Sequence, residues 1–569
     1  MKSKRSASPA PTRAPRPAAR AVAPSAGPQP AGSGLLIIAA FALPLIAFWV
    51  DVAWLHPARN YYTVDTEFPY FLNSLSVFKG AGYTYVDHPG TPLEVFGSIL
   101  LGLTYPFLAR VGQGFVAFHI GHPGVFLDAA RSLLMLAHGA CAIILFLVAH
   151  RGNRWDDILE ASAVATMYFA VHPYALAAST VWNHNSFSWA LGALLLACLW
   201  RALHRPNDEG ELPWRTLILL GAGAGALAAI TIYLAAWLLG LLTAVAAFYV
   251  LRRRPWVRTA AALVVTAFSG AAGFGLAVLP VARKLPIFQN WILGILTHQS
   301  RYLAVPADEP TTTRIFANIG ALFDILPALL VVAAILIGAT AVALIVSMRQ
   351  LRSQPATWAF IAGAVVQLAS LLLVFLDRPL REAYLLSAAA VLPLLTMALL
   401  RLLDHRPAAL RWTRILLGIG VLVGLATASW NSIATKRHET AALEATQADT
   451  SQLILEYAQA TGREPNDVTV LWMYGAYSPC WGLRTGDALA GDTFAAEIDA
   501  VCPNQYRLSA NLRYDVHGDG IAVQEGAWDI IFTCDQYLRR LIDSLPGAIT
   551  ERFESIQWGC GSMNEVRRQ

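Results

Sequence analysis

Charge is what this sequence has least of. Only 14% of its 569 residues are Asp, Glu, Lys or Arg, where soluble domains carry about 25%. With 56% hydrophobic residues and a mean hydropathy of +0.49, an ordinary water-soluble domain is excluded and a polytopic membrane protein is implied. Acid is missing altogether from residues 1–33, which carry Lys2, Lys4, Arg5, Arg13, Arg16 and Arg20. No basic stripe lies on a soluble module, so nucleic acid is not a partner. "GAGAGA" (Gly221 to Ala226) is followed by no Lys-Ser/Thr, which excludes a phosphate loop and leaves small-residue helix packing. There is no internal repeat of the kind transporters use.

What is present is a series of long apolar runs. Residues 1–33, rich in Ala, Pro, Ser and Arg, cannot bury a core and read as a disordered basic cytoplasmic tail. The run from Gly34 to Leu55 is long enough to cross a bilayer and reads as a signal anchor. Further spans are expected near 127–149, 158–178, 186–203, 215–232, 234–251, 258–280, 326–348, 357–376, 384–402 and 413–430, about eleven in all. With the tail inside, the inside loops carry Arg151 and Arg154, Arg201 and Arg205, "RRRPWVR" from Arg252, Arg349 and Arg352, and Arg401 to Arg414. This is the positive-inside pattern along the whole chain.

An odd number of spans places residues 431–569 outside. Four of the six cysteines fall there: Cys480, Cys502, Cys534 and Cys560. An even count in one polar segment reads as two disulfides in an oxidising compartment, with four free thiols the alternative. The segment reads as a small α/β domain, with a helix over "TAALEATQADTSQLILEYAQA", strands in "DVTVLWMYGA" and "WDIIFTC", and a polar helix at "DQYLRRLIDSL". The expected fold is therefore mostly α. A transmembrane bundle over 34–430 carries outer-face juxtamembrane helices and is followed by an extracytoplasmic α/β domain over 431–569.

Two outer segments, about 56–126 and 281–325, exceed what a connector needs. In the first, Asp65 and Glu67 stand in "YYTVDTEFPYFLN". They read as a catalytic acid pair, with one as general base and one as its orienting partner or a metal ligand. An isolated D-x-E also describes two solvated acids. "YVDHPGTP" adds Asp87 and His88 before a Pro-Gly turn, able to bind phosphate or hold a proton network. Arginines at the outer face depart from the charge pattern: Arg131 in "LDAARSLL", Arg301 with His298 and Tyr302 in "THQSRYL", and Arg378 and Arg381 with Tyr384 in "LDRPLREAYLL". Such residues grip phosphate bidentately, or else snorkel at the interface. Asn183 in "TVWNHNSFSW" can bond sugar hydroxyls or serve as turn polarity. "HIGHPG" holds His119 and His122 at a metal-like spacing, but its glycines argue against a rigid site.

This arrangement of an acidic first outer loop, a His-Pro turn opening a juxtamembrane helix, an Arg-bearing second span and a late Arg-Tyr stretch resembles the polytopic GT-C glycosyltransferases over 34–430. It is most similar to the branch of protein O-mannosyltransferases and the lipid A aminoarabinose transferase. The resemblance makes Asp65 the base and Glu67 its acidic companion, although the family often places the two acids adjacent. His88-Pro89 matches the family's turn, with Gly90 in place of a second Pro, and Arg381 and Tyr384 match its late Arg-Tyr motif with two residues inserted. It implies a polyprenyl-phosphate sugar as donor, a glycan, lipid or protein as acceptor, surrounding membrane lipids, and transfer at the periplasmic face of a bacterial inner membrane with inversion. It names no definite cofactor, and a divalent metal on Asp65, Glu67, Asp87 and His88 stays open. The rival classes are a transporter or flippase of a lipid-linked glycan and a non-catalytic envelope assembly protein.

Overall fold

The computed structural model describes residues 32–52, 67–80, 91–108, 114–152, 154–170, 172, 175–207, 210–296, 311–325, 354–376, 385–402, 407–472, 479–489, 493–507, 529–534, 553–558 and 563–568. Its first half runs through α1 (Gly32–Val50), α2 (Glu67–Lys79), α3 (Thr91–Leu108), α4 (Phe115–Gly121), α5 (Pro123–Ala149), α6 (Trp155–Ala170), α7 (Ala175–Ala178), α8 (His184–His204), α9 (Trp214–Ile230), α10 (Ala235–Leu251) and α11 (Trp256–Val278). The rest comprises α12 (Leu285–Leu296), α13 (Thr311–Ile325), α14 (Pro355–Leu376), α15 (Leu386–Ala389), α16 (Leu392–Leu402), α17 (Pro407–Thr461), α18 (Pro479–Leu489) and α19 (Ala495–Val501), with strands β1 (Val470–Trp472), β2 (Gln505–Arg507), β3 (Ile530–Cys534), β4 (Phe553–Trp558) and β5 (Met563–Arg568).

Among the described residues six helical segments are long and apolar enough to cross a membrane, and three shorter apolar ones accompany them. The chain is mostly helical and polytopic, as its composition implies. A helix lies within every expected span except 326–348, which falls outside the described residues. The span expected over 158–178 is shorter than that: α6 stops at Ala170 ahead of Pro173, which disfavours helix in the residue before it. "GAGAGA" is a packing stripe. The α9 glycines Gly221 and Gly225 face the backbone of α11 at Thr266 and Gly270.

The helix expected over 440–460 is not a separate element. α17 continues unbroken through residue 430 for 55 residues, about 80 Å of rise. No Gly or Pro interrupts it after Gly424, and it ends before Gly462, whose φ of +70° supplies the left-handed turn that closes a helix. Its first half packs on α6 and α1. Its last turns, through Ala458, join Val470, Trp472, Ile530 and Phe532 in the core under the sheet. The sheet has the order β2-β1-β3-β5-β4, with β1 parallel to β2 and β3, and β5 antiparallel to β3 and β4. The expected helix "DQYLRRLIDSL" lies outside the described residues.

Of the two helices in the first long loop, α3 keeps Phe96, Ile99 and Leu103 exposed, while α2 is enclosed. α2 is buried between α3, α5 and α18. One apolar cluster joins Phe68, Phe71 and Leu72 of α2 to Phe126 of α5, Trp182, and Leu483 and Ile498 of the C-terminal region. Cys480 and Cys502 form a disulfide that ties α18 to the end of α19, and Lys79 reaches Glu497 at 3.5 Å. α18 meets α2 through Gly482 and Gly486; a Cβ on Gly486 would lie 2.9 Å from the Phe68 carbonyl carbon. Gly486→Leu is therefore expected to lever α18 off α2, at a cost of about 1–3 kcal/mol. Faster amide hydrogen exchange in α2 together with a lower thermal midpoint checks it, and unchanged exchange would refute the contact.

Candidate functional site

The site is built where α2, α5 and the turn before α8 meet. Glu67 is the first residue of α2, where a negative charge is favoured by the helix dipole. It is 1% exposed, and Arg131 on α5 is 8% exposed. The Arg131 Nε donates to Glu67 Oε1 at 2.9 Å, and its Nη2 donates to Oε2. The Trp182 backbone N–H donates to the same Oε1 at 2.8 Å. This is a desolvated, bidentate clamp rather than a snorkelling arginine or a solvated acid. It fixes the start of α2. Both Glu67 oxygens are engaged by this clamp. Among the described residues no group of three or more His, Cys, Asp or Glu side chains could hold a metal ion.

The polar cluster "TVWNHNSFSW" is drawn into the same region. Asn183 accepts from the Ser186 N–H at 2.9 Å and caps α8. The Tyr70 hydroxyl of α2 and His184 Nδ1 are 2.5 Å apart, and the Tyr233 hydroxyl donates to Asn185 Oδ1 at 3.0 Å. Asn183 thus serves its own helix, while His184 and Asn185 tie α8 to α2 and to the turn before α10. One layer deeper, His138 bridges the Tyr168 hydroxyl at 2.7 Å and Ser186 Oγ at 2.9 Å. His119 and His122 do not form a metal pair. His119 is buried among the rings of Tyr105, Phe115 and Phe118, and its imidazole is pushed down to about 4 by burial. His122 Nδ1 bonds the Phe118 carbonyl at 3.0 Å.

Of the sequence candidates, the structure brings Glu67 and Arg131 together and sets Asn183 directly after Trp182. Asp65, Asp87, His88, His298, Arg301, Tyr302, Arg378, Arg381 and Tyr384 lie outside the described residues.

One residue escapes sequence reasoning. Glu94, in the first turn of α3, is 0% exposed, and among the described residues neither of its carboxyl oxygens has a hydrogen-bond partner. Gly97 lies against Ser74 and Gly102 against Phe78, so α3 runs alongside α2 in the same direction and its first turn lies toward the Glu67 end. Burial raises the Glu94 carboxyl well above the usual range. Burial thus favours the neutral carboxyl, the form able to donate a hydrogen bond. The signal available was a lone acid inside the otherwise apolar "TPLEVFGSILLGL". A carboxyl whose folded pKa is raised stabilises the fold fully below its unfolded pKa, near 4.3, and that stability is lost as pH rises toward the folded value. Glu94→Gln is expected to flatten the fall in thermal midpoint above pH 4.3. An unchanged pH profile would show that Glu94 is ionised in the fold.

No family model matches the chain, and no curated protein matches it. Solved structures do. The crystal structure of ArnT from Cupriavidus metallidurans bound to undecaprenyl phosphate aligns with a TM-score of 0.51 at 15% identity, covering 95% of this chain and 98% of that one. The apo form of the same ArnT aligns at the same score and identity over 94% and 98%. Over nearly its whole length, this chain has the fold of the ArnT structures.

Proposed function

We propose that this protein is a membrane glycosyltransferase that moves a sugar from a polyprenyl-phosphate donor to an acceptor hydroxyl at the outer face of a bacterial inner membrane. The observation that carries this reading is the shared fold over almost the whole chain with a protein solved with undecaprenyl phosphate bound. The buried Glu67–Arg131 clamp, in the outer loop where the sequence places its acids, is consistent with it. The positive-inside pattern and the Cys480–Cys502 disulfide support a cytoplasmic N-terminus and a periplasmic C-terminal domain.

In this reading Asp65 takes the proton from the acceptor hydroxyl. The acceptor oxygen bonds to the anomeric carbon as the carbon–oxygen bond to phosphate breaks, and the electron pair leaves with the polyprenyl phosphate. Positive charge develops at the sugar as in other glycosyl transfers. One displacement inverts the anomeric centre. Arg301, Arg378 and Arg381, with His88 and His298, offset the charge on the departing phosphate; Asp87, Tyr302 and Tyr384 orient the sugar. Glu67 is a positioning residue, acting through Arg131 on the chain that carries Asp65.

The test uses the purified protein in vesicles loaded with a polyprenyl-phosphate sugar labelled in the sugar. Release of unlabelled polyprenyl phosphate with label on an acceptor supports transfer. Movement of intact donor between leaflets without cleavage would replace it with the transporter reading.

A further inference from the structure

The motif "TVWNHNSFSW" does more than cap a helix. Five consecutive residues, at and before the start of α8, each make a bond that fixes this turn. The Trp182 N–H donates to Glu67 Oε1 at 2.8 Å. Asn183 Oδ1 accepts from the Ser186 N–H at 2.9 Å. His184 meets Tyr70 of α2 at 2.5 Å, and Asn185 accepts from Tyr233 at 3.0 Å. Ser186 Oγ lies 2.9 Å from His138 Nε2 of α5. These bonds close a circuit. Arg131 and His138 are seven residues apart on α5, about two helical turns, and belong to one buried stripe with Leu134 and Cys141. Arg131 holds Glu67, Glu67 takes the Trp182 N–H, and the capped turn carries Ser186 back to His138.

His138 is the member of this circuit that the membrane makes costly. It stands near the middle of α5, a helix long and apolar enough to cross a bilayer, and is 0% exposed. A histidine at that depth is tolerated when its ring nitrogens are bonded, whereas an apolar side chain would fill the space without that requirement. Both nitrogens are engaged. Nδ1 lies 2.7 Å from the Tyr168 hydroxyl, on the side away from Ser186. The Trp189 ring of α8 lies 4.3 Å, centroid to centroid, from the His138 and Tyr168 rings alike. One turn further along α5, Cys141 Sγ donates to the Ala190 carbonyl at 3.3 Å. The imidazole is thus held between α6 and α8, and α5 grips α8 at two successive levels. A buried polar link depends on distance and angle far more sharply than apolar packing does. His138 therefore sets the height and rotation of the α8 start, which no leucine at this position would do.

We propose that His138 is a positioning residue for sugar transfer, acting from inside the membrane through Ser186 on the turn whose Trp182 N–H completes the Glu67–Arg131 clamp. Its effect on transfer rests on the glycosyltransferase reading; its effect on the turn does not. The test compares full-length His138→Leu, His138→Gln, Ser186→Ala and the double variant His138→Leu with Ser186→Ala, all in vesicles. Leucine keeps bulk and loses both bonds, while glutamine keeps a polar group for Ser186. Thermal midpoints establish folding, and Ser186→Ala, which removes one oxygen, carries the test if a histidine variant does not fold. The readouts are amide hydrogen exchange in peptides covering Trp182 and the rate of transfer from a polyprenyl-phosphate sugar at varied donor concentration. His138→Leu and Ser186→Ala are each expected to speed exchange at Trp182 and to lower the maximal rate about tenfold, with the half-saturating donor concentration changed less than about twofold. Glutamine is expected to recover most of both losses. The double variant should lose no more than either single one, because both break one link. A histidine with a merely structural role would lower the thermal midpoint and leave the maximal rate per folded molecule intact. That result, or unchanged exchange at Trp182, would overturn the proposal, and additive losses would overturn the route through Ser186. If the parent protein transfers no sugar, the transfer reading falls and this role with it, while exchange at Trp182 separately decides the hold of His138 on the turn.

Discussion

Asp65→Asn is expected to lower the rate of sugar transfer by about 10²–10⁴-fold at saturating donor, with donor binding little changed. Asparagine keeps the size and much of the hydrogen bonding of aspartate but cannot take a proton near neutral pH. The loss should therefore fall on the chemical step and not on assembly of the site. The measurement is transfer from a lipid-phosphate sugar in vesicles, paired with a donor-binding titration on the same preparation. Unimpaired transfer would remove Asp65 as the base. Lost donor binding would recast it as a substrate ligand. The neighbouring acid should behave differently. Glu67 sits two residues away, but its oxygens are engaged by Arg131 and the Trp182 amide, so its substitution should register first in stability.

Arg131→Ala is expected to destabilise the protein by about 3–5 kcal/mol, because it leaves the Glu67 carboxylate buried beside α5 with a single backbone donor. The paired change Glu67→Gln with Arg131→Met should cost much less than Arg131→Ala, since a buried pair replaced by neutral groups of similar volume is often tolerated. Thermal midpoints of the single and double variants form a cycle, and their non-additivity measures the coupling. Additive losses would mean that the two side chains act independently. The double variant also separates structure from chemistry. If it folds yet transfers slowly, the clamp positions the segment carrying Asp65; if it transfers at the parent rate, the clamp is structural alone.

These two experiments meet at α2, whose surroundings tie the C-terminal region to the site. Gly482 and Gly486 let α18 approach the α2 backbone, and the Cys480–Cys502 disulfide holds α18 to the end of α19. The C-terminal region therefore packs directly on the helix that begins at Glu67. Loosening at Gly486 should thus be felt at the acids as well as in the domain.

The sequence by itself determined the broad architecture. Hydropathy, scarce charge and basic loops on one side are additive properties of short segments, so the helical spans could be read without knowing what packs on what. The same holds for the strands at Val470–Trp472 and Ile530–Cys534, each a local apolar run, and for the packing role of "GAGAGA". Only tertiary structure decided what the charged groups do. Glu67 and Arg131 lie 64 positions apart, and nothing in the local pattern of either distinguishes an ion pair from a metal ligand or a phosphate grip. Glu94 became notable only through burial, which neighbours on other helices impose. The boundary at residue 430 was expected from a change in composition, yet α17 crosses it, because helix continuity depends on the absence of breakers and not on polarity.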